Sequence, residues 1–496
     1  MINSEDNTPV IVGLGFEMNR ADQARDCPEP LELMLLAIKD AVKDCGNSEA
    51  GSQLESIAVQ QGMWEYSNPA AYLASELNCE RALTELSDLG ILQLTPFFEL
   101  CNRISLGQQN IGVHVGGEAK YRELRARING EEVSNSSLPH DTPAPDTHYR
   151  SEDPFASDVE AAAQIFMPVD MFAVIESALR KRSGLGVEEH RDHLADMYAG
   201  FSKIAASNEH AWHREPLQAG SIRNAEGKNS MLAFPYTKKH NTQWNVNQAV
   251  AIIVCSVAKA RQLGIDERQW VYPLSAARSN HVVCLAQQAS LCSHEGTRRI
   301  GEQAFSLAQL SPADVDMAEL YSCFPAAVQS FALDFDLPES CPLSVSGSMA
   351  FAGGPYNHSA LDGVARMTEV LREQQQHNVG LVSNLSGVFG KTGVILLSNV
   401  PGKSPYGFCD VSAQVAAVDH PLTTNLQYQG EAEIIGYTVS FHKDQPIRAL
   451  MYCDLPNHQR TVVQSTDVEL MQSMMEEEWV GRGIRINPDH TVSRLS

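Results

Sequence analysis

The sequence predicts an α/β fold in which a parallel, helix-covered sheet is built twice. Three observations predict it. Short apolar runs at residues 9–15, 56–60 and 111–115 alternate with stretches of helical spacing, the pattern of a sheet buried on both faces. Strand, small-residue turn and helix recur in the second half, around residues 317–320, 379–382 and 394–398, which points to an internal duplication. Between the halves lies a long polar and helical region that fits neither pattern.

Taken in order, residues 9–15 read as a buried strand ending in Gly-x-Gly. No third glycine follows in the register of a dinucleotide-binding loop, so that motif carries little weight. Helical spacing over 30–45 is closed by Gly46. Residues 56–60 are a strand, 72–77 a helix, and 97–106 a helix stopped by Gly107. The strand at 111–115 runs into Gly116-Gly117-Glu118-Ala119. From residue 121 to about 230 the character changes. Residues 131–158 form a polar surface excursion, 167–182 and 190–207 are helices, and 208–212 a turn. Residues 234–239 return the chain to the core, and 246–260 is either a strand or a buried helix.

The second half repeats the scheme. Residues 301–310 are a helix, 317–320 a strand leading into Tyr321-Ser322-Cys323-Phe324-Pro325, and 326–333 a helix. Residues 347–363 are crowded with small side chains and hold Gly353, Gly354 and Pro355. Backbone amides at such glycines can approach a ligand closely. The helix read over 359–371 would add unpaired N–H donors and partial positive charge. This stretch is therefore either a tight turn between strand and helix or a seat for a polarised oxygen or phosphate. Strands at 379–382 and 394–398 enclose a polar turn. Residues 401–405 resemble a linker, 411–418, 430–439 and 448–455 read as strands of a small β-rich module, and 471–479 as an acidic helix.

Composition sets bounds on function. The 496 residues are 43% hydrophobic and carry a formal net charge of −24. Such a charge argues against nucleic acid or an anionic membrane as partner. No apolar run approaches the ~20 residues of a transmembrane helix. The polar start lacks the pattern of a signal peptide. Eleven scattered cysteines form no CxxC pair, which fits reduced thiols in a cytoplasmic chain and gives no cysteine metal site.

Glu319-Leu-Tyr-Ser-Cys-Phe324, Gly353-Gly-Pro-Tyr-Asn-His358 and Asn384-Leu-Ser-Gly387 stand in one order and spacing. Together they resemble the thiolase superfamily, where a strand ends in Asn-Glu-Ala-Phe or His-Asp-Cys-Phe and is followed by Gly-His-Pro and Cys-x-Gly loops. Tyr-Ser-Cys-Phe-Pro, Asn208 to Trp212 and Phe-Pro-Tyr-Thr-Lys are most similar to the type-1 thiolase-like proteins, relatives of acetyl-CoA acetyltransferases and sterol-carrier-protein thiolases. The resemblance implies a thiolase fold of two duplicated βαβ halves. Residues 1–118 and 232–280 would form the N-terminal half, 119–231 an inserted loop domain, 281–400 the C-terminal half, and 404–496 the β-rich module. It also implies a homodimer paired along an edge strand, with acyl-CoA as partner and no other cofactor.

The resemblance locates the chemistry and also what is altered. A thiolase uses a cysteine nucleophile at a helix start, a histidine base and a second cysteine. An ungapped match puts Gly90 at the nucleophile, Gly354 at the histidine and Asn384 at the second cysteine. Tyr321 and Ser322 replace the polar pair at the strand end. His358, Cys323 and Asn384 are the candidate catalytic residues. His358 is either a capping histidine or a base, Cys323 either a packed thiol or a displaced nucleophile, and Asn384 either a turn residue or a donor to a thioester carbonyl. Tyr321, Gly353, Gly354, Ser386, Gly387 and Lys391 are the candidate substrate contacts. The implied function is acyltransferase-like chemistry on an acyl-CoA with an altered site. The alternatives are a non-catalytic binder of acyl-CoA or lipid ester, and a scaffold subunit.

Overall fold

The structure is a computed structural model and describes residues 5–374, 376–488 and 491–495. Residues 1–4 of the polar start lie outside the described residues.

The first half holds β1 (Pro9–Met18), α1 (Pro30–Asp44), β2 (Ser56–Gln60), α2 (Pro69–Glu76), β3 (Leu83–Ser87), α3 (Thr95–Ser105) and β4 (Ile111–Ala119). The inserted region holds α4 (Lys120–Asn129), β5 (Thr147–Tyr149), α5 (Asp158–Ala162), α6 (Pro168–Ser183), α7 (Val187–Ser207), α8 (Ala219–Arg223) and β6 (Met231–Ala233). The chain returns through β7 (Tyr236–Thr237), β8 (Asn247–Ser256) and α9 (Val257–Gln262). Residues 246–260 are thus a strand and then a helix. The second half holds β9 (Tyr272–Ser279), α10 (Glu295–Ala308), β10 (Met317–Glu319), α11 (Pro325–Asp334), α12 (Ser359–Glu373), β11 (Val379–Ser386), β12 (Lys391–Ser398) and β13 (Gly407–Asp410). The end of the chain holds α13 (Ser412–Val418), β14 (Gly430–His442), β15 (Gln445–Asp454), β16 (Arg460–Ser465), α14 (Val468–Glu476), β17 (Gly483–Ile486) and β18 (Val492–Arg494).

The first sheet has the order β1-β8-β4-β2-β3-β5, and the second β10-β11-β12-β9-β13. The parallel arrangement expected from the sequence holds for β4-β2-β3-β5. It does not hold throughout, because β8 lies antiparallel between β1 and β4, and β12 antiparallel between β11 and β9. β9 joins the second sheet ahead of the division placed at residue 280.

Helices cover both faces of both sheets. α1 presses on β1 closely enough that a Cβ on Gly15 would collide with the Ala37 carbonyl, so only glycine permits that approach. α3 and α12 lie between the two sheets. Their Phe97, Phe98, Leu361 and Val364 share one buried cluster with Ile252 of β8, Ala276 of β9 and Ile395 of β12. Each of the larger of these side chains contributes about 1.5–3 kcal/mol by leaving water. The N-terminal ends of these two central helices define where the site sits.

Two expectations at the C-terminal end are corrected. Residues 412–418 are helix, not strand. Val411 and Val415 are buried one helical turn apart, a spacing that strand pairing cannot use. The segment after residues 401–405 passes directly into β13, which pairs with β9. The terminal sheet itself, β16-β15-β14-β17-β18, also takes in β6 and β7 from the inserted region.

Candidate functional site

α12 begins after His358, whose side chain does not cap the helix. The ring is instead buried over β4, where a Cβ on Gly116 would collide with it. Its Nδ1 lies 3.1 Å from Asp362 Oδ2, one turn further along the helix. Its Nε2 is buried and has no partner among the described residues. A carboxylate holding one imidazole nitrogen while the other is free is the arrangement of a base and its orienting group. Of the two roles open for His358, the surface capping role is excluded by its burial.

The surrounding face is polar and unsatisfied. Gln60 of β2 lies in register with Ser87 of β3 and Gly116 of β4. His114 is two residues before Gly116 and so points to the same side. Both amide atoms of Gln60, Ser87 Oγ, both ring nitrogens of His114 and Thr95 Oγ1 at the start of α3 are buried without partners among the described residues. Burial, assisted by the neighbouring His358, pushes the His114 pKa down to about 3. His114 therefore stays neutral. Each group buried in this way costs about 1–3 kcal/mol unless water or a ligand satisfies it.

Gln93, in the loop before α3, joins the two central helices. Its Oε1 accepts from the Ala360 N–H, 2.8 Å away in the first turn of α12. Its Nε2 donates to the Tyr321 hydroxyl at 3.1 Å. Burial, then the nearby Cys323, raises the Tyr321 phenol well above its ordinary value. The Tyr321 N–H donates to Ser383 Oγ at 2.8 Å. Glu319 and Val382 are register partners, so Tyr321 and Asn384 each stand two residues beyond a paired position. Asn384 is fully buried, and neither of its amide atoms has a partner among the described residues. Tyr321 is thus tied to the start of α12 through Gln93, and Asn384 stands at the matching position of the neighbouring strand.

The other candidates lie elsewhere. Cys323 is partly exposed, but burial raises its thiol well above the ordinary range, and no base hydrogen-bonds to it. It lacks what makes a thiol nucleophilic. Ser386, Gly387 and Lys391 line a cleft of about 140 Å³ with Gly90 and the Ser151–Phe155 segment of the insert. Lys391 is buried rather than solvated. Its ammonium donates to the Gly90 carbonyl at 2.9 Å and Ser151 Oγ at 2.7 Å, and pairs with Asp153 at 2.6 Å. Its three protons are all engaged inside the protein. Gly353 has φ +107°, and a Cβ there would collide with Gln248 Oε1. Gly353 lines a second cleft with Glu209, His210 and Arg366, which Asp362 of the His358 pair also borders. The Gly354 N–H already donates to the Gln243 carbonyl at 2.9 Å, so it is not a free donor.

Beside that second cleft, which Glu209 and His210 line, these two and Glu369 bring possible ligand atoms within 4.8 Å of one another. Glu369 is already paired with His210 and Arg366. Gln93, Asp362, His114 and Asp153 escaped the sequence reading. Only Asp362 had a visible signal, four residues after His358 on a helix.

Residues 410–491 match the family described as thiolase-like protein type 1 additional C-terminal domain. A crystal structure of a monomeric SCP2-thiolase like protein type 1 from Mycobacterium smegmatis superposes with a TM-score of 0.80, at 21% identity over 100% of each chain. An acetyl-CoA acetyltransferase of Methanothermobacter thermautotrophicus is 23% identical over 30% of this chain and 44% of its own. One from Methanocaldococcus jannaschii is 29% identical over 15% of this chain and 19% of its own. The chain thus spans less than half of either curated relative.

The two sheets, with paired central helices between them, have the fold of the thiolase superfamily. Within it, the whole-chain superposition and the terminal domain give the chain its likeness to the type-1 thiolase-like proteins.

Proposed function

We propose that the protein binds an acyl-CoA thioester and acts on it as an acetyl-CoA acetyltransferase-like protein whose chemistry no longer runs through cysteine. The observation that carries this reading is the His358–Asp362 pair at the start of α12. Gln93, in the loop before α3, bonds the first turn of the same helix, and by the thiolase resemblance that loop would carry Gly90 in the place of a thiol. Neutral polar groups around it suit a thioester carbonyl better than a charged group. The second reading is binding without chemistry. It is favoured by Lys391, whose three bonds tie the insert over the cleft beside Gly90. A scaffold role is the weakest of the three, because the terminal module packs on the chain's own insert.

Titration calorimetry with CoA and acetyl-CoA, paired with intact-mass spectrometry, tests the proposal. Saturable binding with no acyl adduct on any cysteine is expected. An adduct on Cys323 would restore a sulfur mechanism, and no binding of either ligand would reject the proposal.

A further inference from the structure

Resting on the acyl-thioester reading above, we propose that the acyl acceptor is water. The protein would cleave the thioester hydrolytically, with His358 as base and Asp362 as the positioning residue that orients it.

Three independent features lead there. The first is that no activated sulfur stands among the described residues of this region. Gly90 lies in the loop before α3, Cys101 is fully buried within α3, and among the described residues no base hydrogen-bonds to Cys323. The second is the orientation of His358. Asp362 Oδ2 engages Nδ1 at 3.1 Å, which leaves Nε2 as the only ring nitrogen able to take a proton from an attacking group. The third is the composition of the buried face next to it. Gln60, Ser87, Thr95 and His114 contribute six buried polar atoms without partners among the described residues. None belongs to a charged side chain at neutral pH, because burial holds the His114 pKa at about 3. Such groups hold water, which donates and accepts at once. They are poorly matched to a second anionic CoA.

The step balances without a further reactant. As water oxygen bonds to the thioester carbonyl carbon, its proton passes to His358 Nε2. The carbon–sulfur bond then breaks, and the departing thiolate takes that proton. The products are a carboxylic acid and free CoA thiol. Nothing is oxidised or reduced. The Asn384 amide, buried without a partner among the described residues, would donate to the carbonyl oxygen as negative charge grows on it.

The test uses the full chain with acetyl-CoA and octanoyl-CoA as probes. Free thiol is followed with a chromogenic thiol reagent, and the acid product is weighed after reaction in water enriched in heavy oxygen. Thiol release above buffer is expected, with one heavy oxygen in the acid. His358→Ala should lose about 100-fold or more, the low end for a general base. Asp362→Asn should lower kcat at little changed KM and move the acid limb of the pH profile, which a purely structural role would not do. His358→Gln, closer in shape, serves if the alanine variant does not fold, as judged by circular dichroism. Binding of either probe without thiol release would overturn the inference and leave the binding proposal standing. Release retained in both His358 variants, or an acyl group recovered on a cysteine, would overturn it too. If neither probe binds, both fall together.

Discussion

Gln93 and Lys391 each join parts of the chain that are far apart in sequence, and both do so through side-chain hydrogen bonds. Gln93 is 3% exposed and serves an otherwise unpaired N–H in the first turn of α12 together with the Tyr321 phenol. Helix starts leave four N–H groups without intrahelical partners, and His358 offers no side-chain cap. Gln93→Ala should therefore strand the buried Ala360 N–H and free one bond of the half-buried Tyr321 phenol, costing about 1–3 kcal/mol in all. Urea denaturation would measure this loss. A change within about 0.5 kcal/mol, the range of ordinary surface substitutions, would mean that the bridge is not formed. Sequence could not reveal it, since a lone glutamine in a loop has no periodicity and its partners lie 228 and 267 residues away. His358 and Asp362 were legible in principle, because four residues along a helix put two side chains on one face.

Among the elements, β5 bears on how the chain could pair with a second copy. It is three residues long, yet it pairs parallel to β3 and covers that strand's outer edge. A free edge invites pairing with another chain. The homodimer expected from the sequence needs such an edge, and here a strand from the insert occupies it. Proline at position 147 would remove a ladder donor and disfavour the strand. Thr147→Pro is expected to expose β3 and shift light scattering from a 54.4 kDa particle toward twice that mass or larger. An unchanged particle size would show that β3 is protected by something other than β5. The same strand shows why parts of the fold were hidden. β5 is Thr-His-Tyr inside a polar stretch, and β9 reads Tyr-Pro-Leu-Ser-Ala-Ala-Arg-Ser, so neither displays alternation or an apolar run. β1, β2 and β4 were legible because both of their faces are buried. Residues 412–418 misled because alanine and valine dominate a short segment, although Val411 and Val415 already carried the helical spacing.

At the scale of the molecule, burial ties the parts together and also sets how they respond to acid. The terminal module is docked rather than tethered. Arg180 of α6 reaches Glu478 at 2.9 Å and the Tyr437 hydroxyl at 2.7 Å, and Asp170 accepts from Ser440 at 2.8 Å. Between the sheets, His114 is fully buried and neutral, with its pKa pushed down to about 3. In the unfolded chain it titrates near 6.5. Between these values the unfolded chain takes up a proton that the folded chain refuses, so stability falls as pH falls from about 6.5 toward 3. Asp334 works in the opposite direction. Burial raises its carboxyl to about 6, so the folded chain holds a proton there that the unfolded one releases, and acidification below pH 6 is favourable at that site. The overall acid profile therefore mixes signs, and a difference between two proteins is the cleaner measurement. His114→Gln removes the titrating ring alone. At pH 5 the wild type should have lost about 2 kcal/mol relative to pH 7.5 through this residue, and the variant none of it. Urea midpoints at the two pH values should thus bring the two proteins closer together as the solution is acidified. Curves that stay parallel would mean that His114 takes up its proton in the folded state, and that the polar layer between the sheets admits a charge.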